Sequence, residues 1–200
     1  SYYDTPVLER VEPSSCPVGA PCDVVLYGEL SGGADYKCQW ISVKTVVTPA
    51  TYDVESGGVA CEAPASEAAK SLSVAVTLNG GDYTQMIAFK YFPTHEVTLL
   101  EPACGPADGG TLVRIRGRAL SDAEQPRCRF GDGVETSVAS AAPGGGLLCL
   151  APAAATDAAA SSVKVAVALN GVYYGSSTRP FSYYVPPVVD DASPTASPLG

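Results

Sequence analysis

The side chains of this 200-residue chain that are best suited to chemistry are its seven cysteines. Thiols bind metals, carry out redox reactions or form structural disulfides. A zinc site usually needs Cys-x-x-Cys pairs or several histidines, but the chain has no such pair and a single histidine, His95. We therefore interpret the cysteines as disulfides formed in an oxidising compartment. This predicts a secreted, extracellular or cell-surface protein without a metal or other cofactor.

The sequence carries no recognisable catalytic set, and we predict that the protein is not an enzyme. There is no Gly-x-Ser-x-Gly elbow and no phosphate-binding glycine loop. His95 is expected to lie at the surface of a linker at residues 93–96. Asp4, Asp190 and Asp191 also fall in predicted linkers, where solvated charge is favoured over calcium bridging between domains.

The charge balance argues against nucleic acid as a partner. The chain holds 12 Lys and Arg against 21 Asp and Glu, a net charge of −9, whereas phosphate binding needs an excess of basic side chains. The acids concentrate in the first half: residues 1–93 have 11 acids against 5 bases, and residues 94–187 have 8 against 7. No apolar run approaches 18 residues, so we expect no direct membrane insertion.

An internal repeat with a period near 90 residues organises the chain. Six landmarks recur in the same order: Glu12-Pro13 and Glu101-Pro102, Gly28 and Gly117, Cys38 and Cys128, Cys61 and Cys149, Asn79-Gly80 and Asn170-Gly171, and Phe89 and Phe181. We predict domains at residues 6–92 and 97–185, joined by the linker at 93–96. Residues 1–5 would end a preceding repeat, and residues 186–200 would form a linker and the start of a further one.

The apolar pattern of each unit predicts an antiparallel β-sandwich. Residues 111–116 alternate between two faces, which is the period of a half-buried strand. Asn170-Gly171 separates two further apolar runs at 163–169 and 181–185, and this dipeptide predicts a tight hairpin turn. The fold class is therefore all-β.

The repeat also predicts the disulfide bonds, because equivalent positions should have equivalent partners. Cys38 should pair with Cys61, and Cys128 with Cys149. Cys16 and Cys22 are expected to close a small loop, although a rival pairing joins Cys16 to Cys104. The remaining Cys104 would be an intermolecular link, the partner of a cysteine elsewhere, or a free thiol that is buried.

Several motifs occur in an order that resembles an IPT/TIG domain. They are Pro102-Ala103-Cys104-Gly105-Pro106, Gly109-Gly110-Thr111, Cys128-Arg129-Phe130-Gly131, Cys149-Leu150-Ala151-Pro152 and Phe181-Ser182-Tyr183-Tyr184. The first unit is a weaker copy, with Ala20-Pro21-Cys22 in place of the glycine pair and threonine. The resemblance implies two tandem, disulfide-stapled immunoglobulin-like β-sandwiches and a role in interactions instead of chemistry.

Outward strand positions supply the candidate partner-binding residues. The second unit is predicted to present a basic stripe, whereas its neighbour presents apolar side chains at the positions aligned with Arg114 and Arg116. The candidates are Arg114, Arg116 and Arg118 on one face, Arg127 and Arg129 on another strand, and Val25 and Tyr27 in the first unit. A solvated face is the alternative to a head-to-tail or lateral contact between copies.

Glycans are a second possible class of partner. Neither asparagine begins an Asn-x-Ser/Thr sequon, which excludes N-glycosylation of this chain. Four hydroxyl residues precede a proline and are candidates for O-glycosylation, with ordinary turn chemistry as the alternative: Thr5, Thr48, Ser193 and Ser197.

These observations favour a structural or adhesive module of an extracellular repeat array, such as a cell-surface filament, coat or stalk protein. Its partners would be adjacent repeats or copies of itself. Two alternatives are the ectodomain of a plexin-like or fibrocystin-like receptor or adhesion protein, and an accessory domain of a secreted carbohydrate-active enzyme. Acidic charge and paired cysteines oppose the transcription-factor version of the fold.

Overall fold

The computed structural model describes residues 6–121, 123–132, 135–136, 140–154, 162–176 and 178–188. The described residues form β-strands without a helix, so no helix among them could span a membrane. Eight strands make the first unit: β1 (Val7–Glu12), β2 (Ser15–Pro17), β3 (Cys22–Glu29), β4 (Lys37–Ile41), β5 (Thr45–Asp53), β6 (Gly58–Ala63), β7 (Lys70–Thr77) and β8 (Ile87–Phe92). The described residues of the second unit form eight more: β9 (Glu96–Glu101), β10 (Cys104–Pro106), β11 (Leu112–Arg118), β12 (Arg127–Phe130), β13 (Glu135–Thr136), β14 (Leu147–Leu150), β15 (Ser162–Ala168) and β16 (Arg179–Tyr184).

The strands of the first unit are hydrogen-bonded in one continuous order, β1-β3-β6-β5-β4-β7-β8-β2. Strand β5 connects its two layers. The first half of β5, residues 45–49, pairs with β4, and the second half, residues 50–53, pairs with β6. All pairs are antiparallel except β2 with β8.

The second unit repeats this arrangement strand for strand, but its described strands are divided between two sheets. One sheet has the order β10-β16-β15-β12-β13 and the other β14-β11-β9. The described part of β13, the counterpart of β5, is two residues long and pairs only with β12. Strands β10 and β16 are parallel, as β2 and β8 are in the first unit. The all-β fold class is thus confirmed.

Each unit has its own buried cluster of apolar side chains between the two layers. The first is centred on Trp40, Phe89 and Tyr91, whose rings meet edge to face at centroid distances of 5.1 and 5.4 Å. The second repeats the trio with Phe130, Phe181 and Tyr183 at 5.3 and 5.1 Å. Such geometry matches the ring quadrupoles. Alternation along the strands places these side chains inward.

The two core tyrosines also satisfy their hydroxyl groups in the same way. Tyr91 donates to the carbonyl of Pro64, and Tyr183 donates to that of Pro152 at 3.0 Å. Burial raises the pKa of Tyr91 to about 12 and also raises the pKa of Tyr183. Both phenols therefore stay protonated at neutral pH.

Three disulfides are present: the two that the repeat predicts, and the small-loop bond between Cys16 and Cys22. Cys38–Cys61 and Cys128–Cys149 each connect the two layers of one unit, and Cys16–Cys22 closes the short loop before β3. The rival pairing of Cys16 with Cys104 is wrong. Cys104 is a free thiol, but it is exposed and not buried.

Gly28 and Gly117 occupy equivalent irregular pairings where β3 and β11 meet β1 and β9. A Cβ at Gly28 would overlap the carbonyl oxygen of Val7, and one at Gly117 would overlap that of Glu96. Only glycine lets the strands approach so closely. The nearby Glu12-Pro13 and Glu101-Pro102 peptide bonds are both cis.

The turn predicted at Asn170-Gly171 opens the connection between β15 and β16, which is longer than a tight hairpin loop. Strand β15 ends at Ala168 and β16 begins at Arg179. The side-chain oxygen of Asn170 accepts from the backbone N–H groups of Val172 and Tyr173, so asparagine opens a longer connection. Asn79 does the same for Gly81 and Asp82 in the first unit.

Candidate functional site: the junction between the units

The described residues contain no group of three or more His, Cys, Asp or Glu side chains that could hold a metal ion. An open cleft of about 600 Å³ beside β11 is lined mostly by Gly, Ala, Ser and Leu, and among the described residues that line it Glu124 is the one ionisable side chain.

The prediction that His95 lies at the linker surface is wrong. The imidazole is buried, and its Nε2 atom lies 2.8 Å from the carbonyl oxygen of Val167 in β15. Phe92 packs beside it at a ring distance of 6.3 Å. A Cβ at Gly175 would meet the imidazole ring, so glycine leaves the space that the ring fills. His95 therefore anchors the connection to the second unit.

The backbone of the first unit receives two hydrogen bonds from the loop after β15. The Asn170 carboxamide Nδ2 donates to the carbonyl of Ser15 at 2.6 Å, and both residues are buried. The Tyr173 hydroxyl donates to the carbonyl of Asp23 at 3.1 Å. Burial of Tyr173 raises the pKa of its hydroxyl, which keeps this donor protonated.

Further contacts at the junction come from side chains of both units. The Ser14 hydroxyl donates to the Glu124 carboxylate at 2.7 Å. Phe92, the last residue of β8, is fully buried in the second apolar cluster, while Tyr173 packs against the first. Each unit thus places one aromatic side chain on the core of the other.

The turn geometry explains how Asn170 reaches the first unit. Its oxygen holds the N–H groups of Val172 and Tyr173, which fixes the side chain and leaves the amide nitrogen free to donate outward. The sequence identified Asn170 as a turn residue but not as a contact. A signal was available: Tyr173 in this loop replaces Asp82 in the equivalent loop of the first unit.

The first group of candidate arginines does not form an isolated basic stripe. Arg116 and Arg118 share the outer face of the three-stranded sheet with acids of β9. Arg116 binds Glu101 at 2.7 Å, and Arg118 lies opposite Glu96 in the strand register. Arg114 is half-buried, and its Nε atom has no hydrogen-bond partner among the described residues. The face is therefore mixed in charge.

The other candidate arginines lie in the opposite sheet of the same unit. Arg127 and Arg129 are on the outward positions of β12, in the five-stranded sheet. The Arg129 guanidinium stacks over the Tyr174 ring at 4.2 Å. One flat partner surface cannot contact both groups of arginines at once.

The apolar pair predicted in the first unit is partly covered. Val25 and Tyr27 face outward from β3 and are half-buried. The Arg10 guanidinium lies 4.1 Å above the Tyr27 ring and binds Glu12 at 2.9 Å. Arg10 therefore covers one face of the Tyr27 ring.

Of the four O-glycosylation candidates, Thr48 lies within the described residues. Its hydroxyl oxygen accepts the indole N–H of Trp40 at 2.9 Å. A sugar on this oxygen would compete with that bond, so the geometry favours a structural role for Thr48. Thr5, Ser193 and Ser197 lie outside the described residues.

Several solved structures of extracellular proteins resemble the chain at low identity. The Plexin A4 extracellular region aligns with 90% of this chain at 18% identity and a TM-score of 0.37, and the Yersinia pseudotuberculosis adhesin InvE with 90% at 12% and 0.32. A biofilm-associated protein domain aligns with 90% at 9% identity and 0.30. This chain spans 22%, 59% and 29% of those structures, respectively.

The match to a protein family is more specific. No curated protein matches the sequence. The model of the IPT/TIG domain matches residues 96–183, which is almost the whole of β9 to β16. The family match agrees with the order of motifs and with the immunoglobulin-like layers of the second unit. Residues 96–183 of this chain are therefore similar to an IPT/TIG domain.

Proposed function

We propose that this chain is a stiff, non-enzymatic structural or adhesive module of an extracellular repeat array, of the kind that builds a cell-surface filament, coat or stalk. The observation that carries the proposal is the junction. Hydrogen bonds from Asn170, Tyr173 and Ser14, together with the buried His95, hold two units end to end. Flexibly linked domains would not need such contacts.

The covalent structure supports an extracellular location. Each unit is closed by a disulfide across its two layers, and the first unit has another. Such bonds persist in oxidising compartments and are rare where thiols are kept reduced. They also stabilise small sandwiches that bury limited apolar area.

The best-supported adhesive surface is the outer face of the three-stranded sheet, which we call the β9-β11-β14 face. It combines charged side chains with leucines that are exposed to solvent. Its members are Leu99, Glu101, Leu112, Arg114, Arg116, Arg118 and Leu150. An apolar centre with charged neighbours is a common composition for protein interfaces. The proposed partner is a copy of the chain, which would contact this face through its acidic first unit.

Charge reversal tests this proposal. The triple variant Arg114→Glu, Arg116→Glu and Arg118→Glu should weaken concentration-dependent association, measured by sedimentation velocity at low and high salt. The matched control reverses Lys44, Lys70 and Lys164, which are exposed elsewhere and give the same change in net charge. A chain that stays monomeric, or an equal loss in both triple variants, would contradict a specific contact at the β9-β11-β14 face.

A further inference from the structure

The strand registers make Cys104 the counterpart of Ser15. Ser15 begins β2 and pairs with Lys90 of β8, and Cys104 begins β10 and pairs with Ser182 of β16. Both short strands end on an aromatic partner, since Pro17 lies opposite Phe92 and Pro106 opposite Tyr184. The two units therefore have equivalent surfaces at the ends where their last strands, β8 and β16, stop.

These equivalent ends differ in what covers them. In the first unit Ser15 is 2% exposed and Phe92 is fully buried, because the second unit lies on both. At the far end of the second unit Cys104 is exposed and Tyr184 is 46% exposed. The same surface that is an interface in one unit is open in the next.

A third equivalent position changes from polar to apolar. Asp23 of β3 lies opposite Glu62 of β6, and the Asp23 carbonyl accepts a hydrogen bond from the Tyr173 hydroxyl. The corresponding residues Leu112 and Leu150 lie opposite each other and are 55% and 50% exposed. Two adjacent leucines facing solvent are costly in isolation, but they suit contact with an aromatic side chain.

We propose that this end of the second unit, formed by Cys104, Leu112, Leu150 and Tyr184, is the docking surface for a following immunoglobulin-like unit that presents an asparagine–glycine turn. The following unit repeats the observed junction: its asparagine carboxamide donates to the Cys104 carbonyl, and an aromatic residue three positions later packs on Leu112. Tyr184 then enters the next core as Phe92 does. This inference rests on the proposed array function.

The docking surface assigns a role to the free thiol. The backbone carbonyl of Cys104 makes the contact, and the side chain becomes enclosed as that of Ser15 is. Cys104 is then a buried interface residue in the array and not a covalent link between chains. Loss of thiol reactivity therefore reports occupation of the surface.

The test adds a unit to the chain and measures alkylation of Cys104 by iodoacetamide under native conditions. The three-unit protein consists of residues 1–184 followed by a second copy of residues 93–188, in which the added Cys104 is replaced by serine. We expect alkylation at least tenfold slower than in the two-unit chain. Asn170→Ala with Tyr173→Ala in the added copy should restore most of the reactivity.

A second version guards against failure of the added copy to fold. Here residues 93–95 and then the first unit, residues 7–92 with Asp82→Tyr, follow residue 184. This unit brings its own Asn79-Gly80 turn, and peptide mapping without reduction shows whether its Cys38–Cys61 bond has formed. Unchanged alkylation of Cys104 in both versions overturns the proposal.

Two outcomes separate this inference from the array function itself. An intermolecular Cys104 disulfide in the two-unit chain would assign the surface to a second copy and would also overturn the proposal. Leu112 and Leu150 belong to both surfaces, so lateral association is tested through the arginines alone, by comparing the triple glutamate variant with the unchanged two-unit chain. An array lacking end-to-end docking would still be detected in that comparison. Conversely, protected Cys104 in a chain that never self-associates would support docking and remove the proposed lateral contact.

Discussion

Replacing Asn170 with alanine should cost the chain more free energy of unfolding than the same change at Asn79. Each side-chain oxygen accepts two backbone N–H groups of its own turn. The distances are 3.2 and 3.0 Å for Asn170 and 3.0 Å for both bonds of Asn79. Thr77 also donates to Asn79, so the control loses at least as many local bonds. Only Asn170 crosses to the other unit, through its bond to Ser15.

The size of the difference follows from burial. Asn79 is exposed, so water replaces its bonds, and the loss should be about 1 kcal/mol. Without Asn170, the Ser15 carbonyl would stay buried without its donor, which adds about 1–3 kcal/mol. We therefore expect the alanine variant of Asn170 to lose about 2–4 kcal/mol in total.

Urea unfolding with two probes measures this difference. Fluorescence of Trp40, the single tryptophan, reports the first unit, and far-UV circular dichroism reports both. The summed free energy of the two transitions does not depend on which unit unfolds first. Equal sums for the two variants would refute the idea that the Asn170–Ser15 bond couples the units.

Three other changes test the cores of the units. Gly117→Ala should destabilise the second unit by about 3 kcal/mol or more in thermal melts, because its Cβ overlaps Glu96, whereas Gly110→Ala meets open space and should cost about 1 kcal/mol. Removing Cys38–Cys61 by double alanine substitution should cost about 3 kcal/mol for its 23-residue separation, measured by Trp40 fluorescence. The free energy of unfolding should fall between pH 10 and 12, because folded Tyr91, with a pKa of about 12, keeps the proton that unfolded Tyr91 loses above pH 10. Urea titrations across this pH range should show a shallower fall for Tyr91→Phe.

The fold and the disulfides were accessible to sequence reasoning because they depend on local alternation and on the repeat. The period-two alternation of β4 and β12 predicts that Trp40 and Phe130 face inward, whichever strands lie beside them. Equivalent cysteines in two copies restrict the pairing far more than one copy would. The predicted runs at 163–169 and 181–185 already bracketed the connection after Asn170. Its conformation was not accessible, because a longer loop starts with the same dipeptide as a tight hairpin.

The junction was largely hidden from the sequence because its contacts join residues that are distant along the chain. His95 meets Val167 across 72 residues, and Tyr173 meets Asp23 across 150. A lone histidine among polar neighbours has the pattern of a linker residue. The residues next to His95 in the sequence do not reveal that Gly175 leaves space for its ring. The sequence also did not show that the predicted basic stripe has an acidic neighbour, because it is the strand register that brings Glu101 beside Arg116.

The most direct test of the account is the distance between the two units in solution. One spin label attaches to the native thiol of Cys104 in the second unit, and another to Val43→Cys, at a fully exposed position in the first. Pulsed electron–electron double resonance should give one narrow distribution of distances between the two labels, centred on their separation in the structure, because the junction holds the units in one orientation. A broad distribution, as two independently moving domains would give, would contradict a stiff array module.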